Sequence, residues 1–118
     1  MHLSLAELYV RFGRYSPNTR LSQYSTIYDN TQTFFYEIMG GDGALWTNKM
    51  LESMQTISDK NTNFRKYLAE GEEHCILPND SFYTKSTNGI MFKDWFKNLT
   101  ESEAIEDVKC ENCNQETL

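Results

Sequence analysis

The chain has 118 residues and a mass of 13.8 kDa, the size of one domain, which excludes an elaborate multi-domain enzyme. It is 39% hydrophobic and 14% aromatic with only 6 Gly and 2 Pro, a composition that supports a buried core and argues against disorder or collagen. A net charge of −6, from 11 Lys+Arg against 17 Asp+Glu, offers no basic footprint for a phosphate backbone, so nucleic acid is not an expected partner.

Ser4-Leu-Ala-Glu7 has the spacing of a capping box and predicts a helix start. Leu5, Leu8, Tyr9 and Phe12 then fall at i, i+3, i+4 and i+7, an apolar stripe expected to be buried, with Gly13 and Pro17 as the stop. Residues Leu21 to Tyr28, rich in Tyr, Thr and Ile, read as a strand. Asp29 or Asn30 can cap a helix over Thr31 to Met39, with Phe34, Phe35 and Ile38 expected inward and Gly40-Gly41 ending it. A further helix over about Leu45 to Ser58 aligns Trp46, Met50, Leu51, Met54 and Ile57, the methionines as core filler.

Asn61-Thr62-Asn63 predicts a turn, and Phe64 to Leu68 a second strand. Gly71 opens a loop that holds His74 and continues through Pro78-Asn79-Asp80. Phe92, Trp95, Phe96 and Leu99 complete an i, i+3, i+4, i+7 stripe on a last helix, introduced by Asn88-Gly89. Strands separated by helices imply an α/β class with parallel strands and flanking helices, although two strands make an incomplete sheet.

Residues 1–99 form the expected body and 100–118 an acidic tail with a Cys-x-x-Cys. From Leu99 onward Lys109 stands against six acids, so that stretch carries −5 of the −6 and is expected to stay solvated and open. No run exceeds three apolar residues, whereas a membrane helix needs ~20, so neither a membrane span nor the apolar part of a signal peptide is expected. The sequons at Asn79 and Asn98 matter only on a secretory route, and the chain itself does not fix a compartment. Three cysteines, Cys75, Cys110 and Cys113, cannot all pair within the chain. Cys110 and Cys113 could form half of a zinc site, but no second Cys pair exists; a disulfide is the other reading, with one cysteine able to reach a partner elsewhere.

Asp29 follows one predicted strand and His74 the next, so a parallel sheet would bring both to its carboxyl edge, where α/β sheets place their sites. A carboxylate that orients an imidazole base is two thirds of a nucleophilic triad. In α/β-hydrolases the chain order is nucleophile, acid, His, and here the acid precedes the His by 45 residues. No Gly-x-Ser-x-Gly elbow occurs in the chain. Asp29 also has the simpler reading of a helix cap, which is compatible with the catalytic one.

The stretches Tyr24-Ser-Thr-Ile-Tyr-Asp29-Asn-Thr-Gln32, Phe64-Arg-Lys-Tyr-Leu-Ala-Glu-Gly71-Glu-Glu-His74-Cys75, Phe82-Tyr83 and Asp94-Trp95 resemble the C-terminal part of the pectin acetylesterase family. These are serine α/β-hydrolases that include Notum-like carboxylesterases. The resemblance spans about Gln23 to Leu99, and its most specific elements are Asp29-x-x-Gln32 and His74-Cys75. It implies the C-terminal part of an α/β-hydrolase fold, with Asp29 as triad acid, His74 as triad base, and Gln32 and Cys75 in support. It further implies hydrolysis of an acyl ester, for example on an acetylated polysaccharide, through a serine upstream of Met1. No metal or organic cofactor is implied, and the setting would be secreted or extracytoplasmic. Where plant members continue His-Cys with Gln, this chain has Ile76, so their substrate preference does not transfer. A second reading is a truncated, non-catalytic binding or structural domain that retains the hydrolase remnant.

Overall fold

The computed structural model describes residues 4–111 and 113. In chain order it contains α1 (Leu5–Tyr15), β1 (Leu21–Thr26), α2 (Asn30–Ile38), a 3₁₀ turn (Gly43–Leu45), α3 (Trp46–Lys60), β2 (Phe64–Ala69), α4 (Ser81–Thr84), β3 (Ser86–Thr87), β4 (Ile90–Met91) and α5 (Phe92–Thr100). Strands β1 and β2 pair in parallel, from Leu21 opposite Phe64 to Thr26 opposite Ala69. Parallel strands cannot be joined by a tight turn, and α2, the 3₁₀ turn and α3 supply the crossover. The chain is therefore a mixed α/β globule around a small parallel sheet, with no helix among the described residues long and apolar enough to cross a membrane.

Alternation along the strands sorts the core onto two faces. Tyr24, Tyr67 and Ala69 pack with Phe92, Trp95, Phe96 and Leu99 of α5, the stripe expected for that helix. The aromatic rings meet mostly edge to face, as between Tyr67 and Trp95, with centroids 5.5 Å apart. On the other face Leu21 and Phe64 meet Val10 and Ile57, and Ile27 and Leu68 meet Met54, so α1 and α3 cover that side.

Two expected stripes are placed differently. The Ser4 hydroxyl accepts from the Glu7 amide at 3.1 Å and starts α1, but Leu5, Leu8 and Phe12 are exposed. The buried side of α1 is Val10 and Gly13, flanked by Ala6 and Tyr9. Gly13 is the reason: a Cβ there would collide with the side-chain amide of buried Asn61. That amide donates to Val10 O at 3.2 Å, and Asn63 Nδ2 donates to the Gly13 and Thr19 carbonyls at 3.3 and 2.8 Å. Close approach through glycine turns the larger apolar stripe outward. On α2, Phe34, Phe35 and Ile38 also face solvent, because this helix touches the 3₁₀ turn and α3 rather than the sheet.

The acidic segment does not stay open. Val108 is buried and forms a parallel bridge with Tyr67, its amide donating to Lys66 O at 2.9 Å and its carbonyl accepting from Leu68 N at 2.8 Å. The Lys66 amide donates to Asp107 Oδ1 and Trp95 Nε1 to the Glu106 carbonyl. A free edge of β2 and an indole needing an acceptor outweigh the repulsion of the carboxylates, which remain solvated on the outer side. Asn88-Gly89 does not introduce the last helix either. Both have positive φ, 57° and 77°, and make the two-residue turn of the β3–β4 hairpin, after which α5 begins at Phe92.

Replacing Gly13 by Ala forces Asn61 out of its place between α1 and α3. We expect Gly13→Ala to lower the unfolding free energy by about 1–3 kcal/mol in a urea titration, more than a helix-propensity gain could offset.

Candidate active site

The ladder between β1 and β2 continues past the strands. The amides of Ile27, Tyr28 and Asn30 donate in turn to the carbonyls of Ala69, Gly71 and Glu72, at 2.8, 3.1 and 3.0 Å. Thr26 Oγ1 donates to Glu73 O at 2.7 Å, and Asn30 Nδ2 reaches Glu72 Oε2 at 3.2 Å. Two loops leaving neighbouring parallel strands are thus fastened to each other for four or so residues. His74 follows at once and is brought over Asp29.

His74 Nδ1 lies 2.8 Å from Asp29 Oδ2. A carboxylate can only accept, so the imidazole donates from Nδ1, which leaves Nε2 as the basic nitrogen. Asp29 is buried with a side-chain exposure of 5%, whereas that of His74 is 37%. The acid is therefore fixed and shielded while the imidazole reaches solvent at the edge of the sheet. The other carboxylate oxygen, Oδ1, accepts from the Gln32 amide at 2.9 Å and caps α2. Capping and His orientation use different oxygens of one group.

The two supporting residues act through their backbones. Gln32 gives its amide to Asp29, and its side chain is exposed. Cys75 is an exposed free thiol with φ of 67°, a left-handed turn directly after the histidine, and its carbonyl accepts from Asn79 Nδ2 at 3.3 Å. Gly71 has φ of 109°, a conformation open to glycine and strained for other residues, and lets the loop bend back towards β1. Cys110 and Cys113 are joined in a disulfide with Cα atoms 5.7 Å apart, remote in role from the pair. No group of three or more His, Cys, Asp or Glu side chains arranged to hold a metal exists among the described residues.

Sequence reasoning missed the residues that fasten the loops. Thr26 and Glu73 form the nearest clamp, and Thr47 Oγ1 donates to Ile27 O at 2.7 Å from inside the core. Lys85 donates to Glu70 O at 2.8 Å and stands 3.7 Å from Glu73. A β-branched hydroxyl at a strand end is the only signal that hinted at them.

Beside the pair, burial pushes the Tyr24 phenol well above its ordinary value of 10.0, and the charges of Glu73, Tyr67 and Asp29 push the same way. Comparison with protein-family models, with curated proteins and with solved structures gives no match to this chain.

Two predictions follow from this local arrangement. Gly71→Val should destabilise the chain by about 1–3 kcal/mol and loosen the His74 loop, read as faster amide exchange over residues 72–75. Tyr24 keeps its proton in the folded chain where the unfolded chain has lost it, so its contribution is complete below the ordinary value and is lost as pH rises above it. Urea titrations between about pH 9 and about pH 11 should show a smaller fall in stability for Tyr24→Phe than for the parent chain.

Proposed function

We propose that the chain is the C-terminal part of a serine carboxylic-ester hydrolase and supplies the acid and base of its triad, Asp29 and His74. The observation that carries this reading is the contact between His74 Nδ1 and Asp29 Oδ2 at 2.8 Å, with the acid buried and the imidazole exposed. In such an enzyme Nε2 takes the proton of a serine hydroxyl as its oxygen attacks the ester carbonyl, and Asp29 stabilises the imidazolium that forms. His74 then returns the proton to the departing alkoxide. Water repeats the sequence on the acyl-enzyme and releases the acid.

The nucleophile and the donors for the oxyanion come, in this reading, from polypeptide outside the 118 residues. The resemblance to the pectin acetylesterase family supports a hydrolase fold and a secreted setting, with an acylated substrate such as an acetylated polysaccharide. The unpaired side of β1 among the described residues and the exposed apolar rows of α1 and α2 are consistent with a larger sheet and further helices beside this part.

The test begins with the native species that carries this chain, its mass and its labelling by a fluorophosphonate. The expected result is a species larger than 13.8 kDa, labelled on the serine of a Gly-x-Ser-x-Gly elbow and active on aryl acetates. In it, His74→Ala should cut turnover by at least about 1,000-fold with the fold retained, and Asp29→Asn by about 100- to 10,000-fold through the wrong imidazole tautomer. A native species near 13.8 kDa that neither labels nor hydrolyses esters would overturn the reading and leave a non-catalytic binding or structural domain.

A further inference from the structure

The Cys110–Cys113 disulfide takes no part in the Asp29–His74 pair, and its two halves stand in different surroundings. Cys110 is 7% exposed and belongs to the core beneath α3, with Ile27, Met54 and Leu68. Cys113 is half-buried and packs against that cluster from the surface. A thiolate approaches a disulfide sulfur in line with the bond that it breaks, so the sulfur it can reach decides where exchange occurs. Core atoms surround Cys110, which makes Cys113 the sulfur open to attack and Cys110 the one that leaves.

The disulfide is not what holds this segment in place. Val108 is bonded to β2 on both sides, its amide to Lys66 O and its carbonyl to Leu68 N, and Lys109 O accepts from Asn88 Nδ2 at 3.2 Å. Asp107 and Glu106 are tied to the Lys66 amide and the Trp95 indole. The bridge closes a ring over a sequence separation of 3, and so short a ring restricts the unfolded chain far less than a long one. Breaking it removes none of these contacts. Space for separated sulfurs is present, since Cys110 lines a cavity of about 340 Å³ together with Ile27, Leu51 and Leu68. The charged residues around Cys110 balance, Lys66 and Lys109 against Glu70 and Glu111, so access rather than charge selects the sulfur.

We propose that Cys110–Cys113 is a reversible exchange site for small thiols, modified at Cys113, whose opening and closing leave the fold unchanged. A thiolate RS⁻ forms a bond to Cys113 Sγ, the Cys110–Cys113 bond breaks, and its electron pair goes to Cys110 Sγ, which takes a proton from water. A second thiolate attacks the RS sulfur of the mixed disulfide and releases Cys113 as a thiolate, which is protonated in turn. Two RSH are thereby oxidised to RSSR while the protein disulfide is reduced to two thiols, and an excess of RSSR drives the same steps backwards. The site involves neither Asp29 nor His74 and stands independently of the hydrolase reading.

The test uses the full chain and 2-mercaptoethanol, a neutral thiol whose approach the nearby charges do not steer. Samples are acidified, blocked with N-ethylmaleimide and mapped by tandem mass spectrometry, with the exposed thiol of Cys75 read in a separate peptide. The first adduct should sit on Cys113 at least about tenfold more often than on Cys110. In the reduced chain the Val108 amide should still exchange at least about 100-fold more slowly than in an unfolded peptide, and 2-hydroxyethyl disulfide should restore the bond. An adduct on Cys110 or shared equally, a bridge that resists the thiol under conditions that half-reduce the same bridge in a peptide of residues 105–118, or loss of the Val108 protection would overturn the proposal. Single variants give a second reading. With 2,2′-dithiodipyridine, the Cys113 thiol of Cys110→Ser should react at least about tenfold faster than the Cys110 thiol of Cys113→Ser, and equal rates would equally overturn it.

Discussion

The parallel pairing of β1 and β2, carried four or so residues beyond the strands, is the constraint on which the rest depends. In a parallel pair both chains leave at the same end, so the residues that follow them are neighbours whatever the length of the crossover. Here the amides of Ile27, Tyr28 and Asn30 find their acceptors in residues 69–72, and Thr26 adds a hydroxyl donor to Glu73. Each bond satisfies a backbone group that would otherwise be stranded at the edge of the core. Their sum fixes the distance between two loops separated by 45 residues of sequence, and the Asp29–His74 contact is the last rung.

Much of this was legible because it rests on local rules. Two β-rich runs separated by helical ones imply a parallel sheet, and a parallel sheet puts Asp29 and His74 at one edge. The α5 stripe was legible because Phe92, Trp95, Phe96 and Leu99 have no competing apolar face. The α1 and α2 faces were not, because periodicity finds an apolar stripe without telling what lies opposite it. In α1 the decision fell to Gly13, whose small size lets the backbone approach Asn61 and brings Val10 inward. The path of residues 105–110 was hidden by composition. Val108 is one apolar residue in an acidic run, yet β2 had an open edge and Trp95 an unsatisfied indole, and both found acceptors there.

The two faces of the sheet are finished to different degrees. On the α5 side six aromatic rings interlock, and Tyr67 donates its hydroxyl to the Ile90 carbonyl, tying the hairpin to the sheet. On the opposite side α3 packs well through Met54 and Ile57, but α1 beside it and α2 present Leu5, Leu8, Phe12, Phe34, Phe35 and Ile38 to solvent. Single exposed apolar residues are ordinary; rows of them along two helices are not.

Asp29 shows why a structural and a chemical role need not compete. A carboxylate at a strand-to-helix corner caps the helix, and the cap holds its plane with one oxygen directed at the Gln32 amide. The second oxygen then has a fixed direction, and only a donor placed there by the neighbouring strand can use it. His74 arrives from β2 with its Nδ1 at that point. A freely rotating carboxylate would lose conformational entropy to hold an imidazole in one tautomer; a capping carboxylate has already lost it in forming the helix. The cap therefore contributes to orientation of the base, and changing the acid acts on the α2 terminus and on the imidazole together. An Asn at position 29 can still accept the Gln32 amide through its carbonyl oxygen, but its NH₂ towards His74 can only donate, so the imidazole would have to accept at Nδ1 and carry its proton on Nε2. The helix would be retained, and the nitrogen facing solvent would no longer be the basic one.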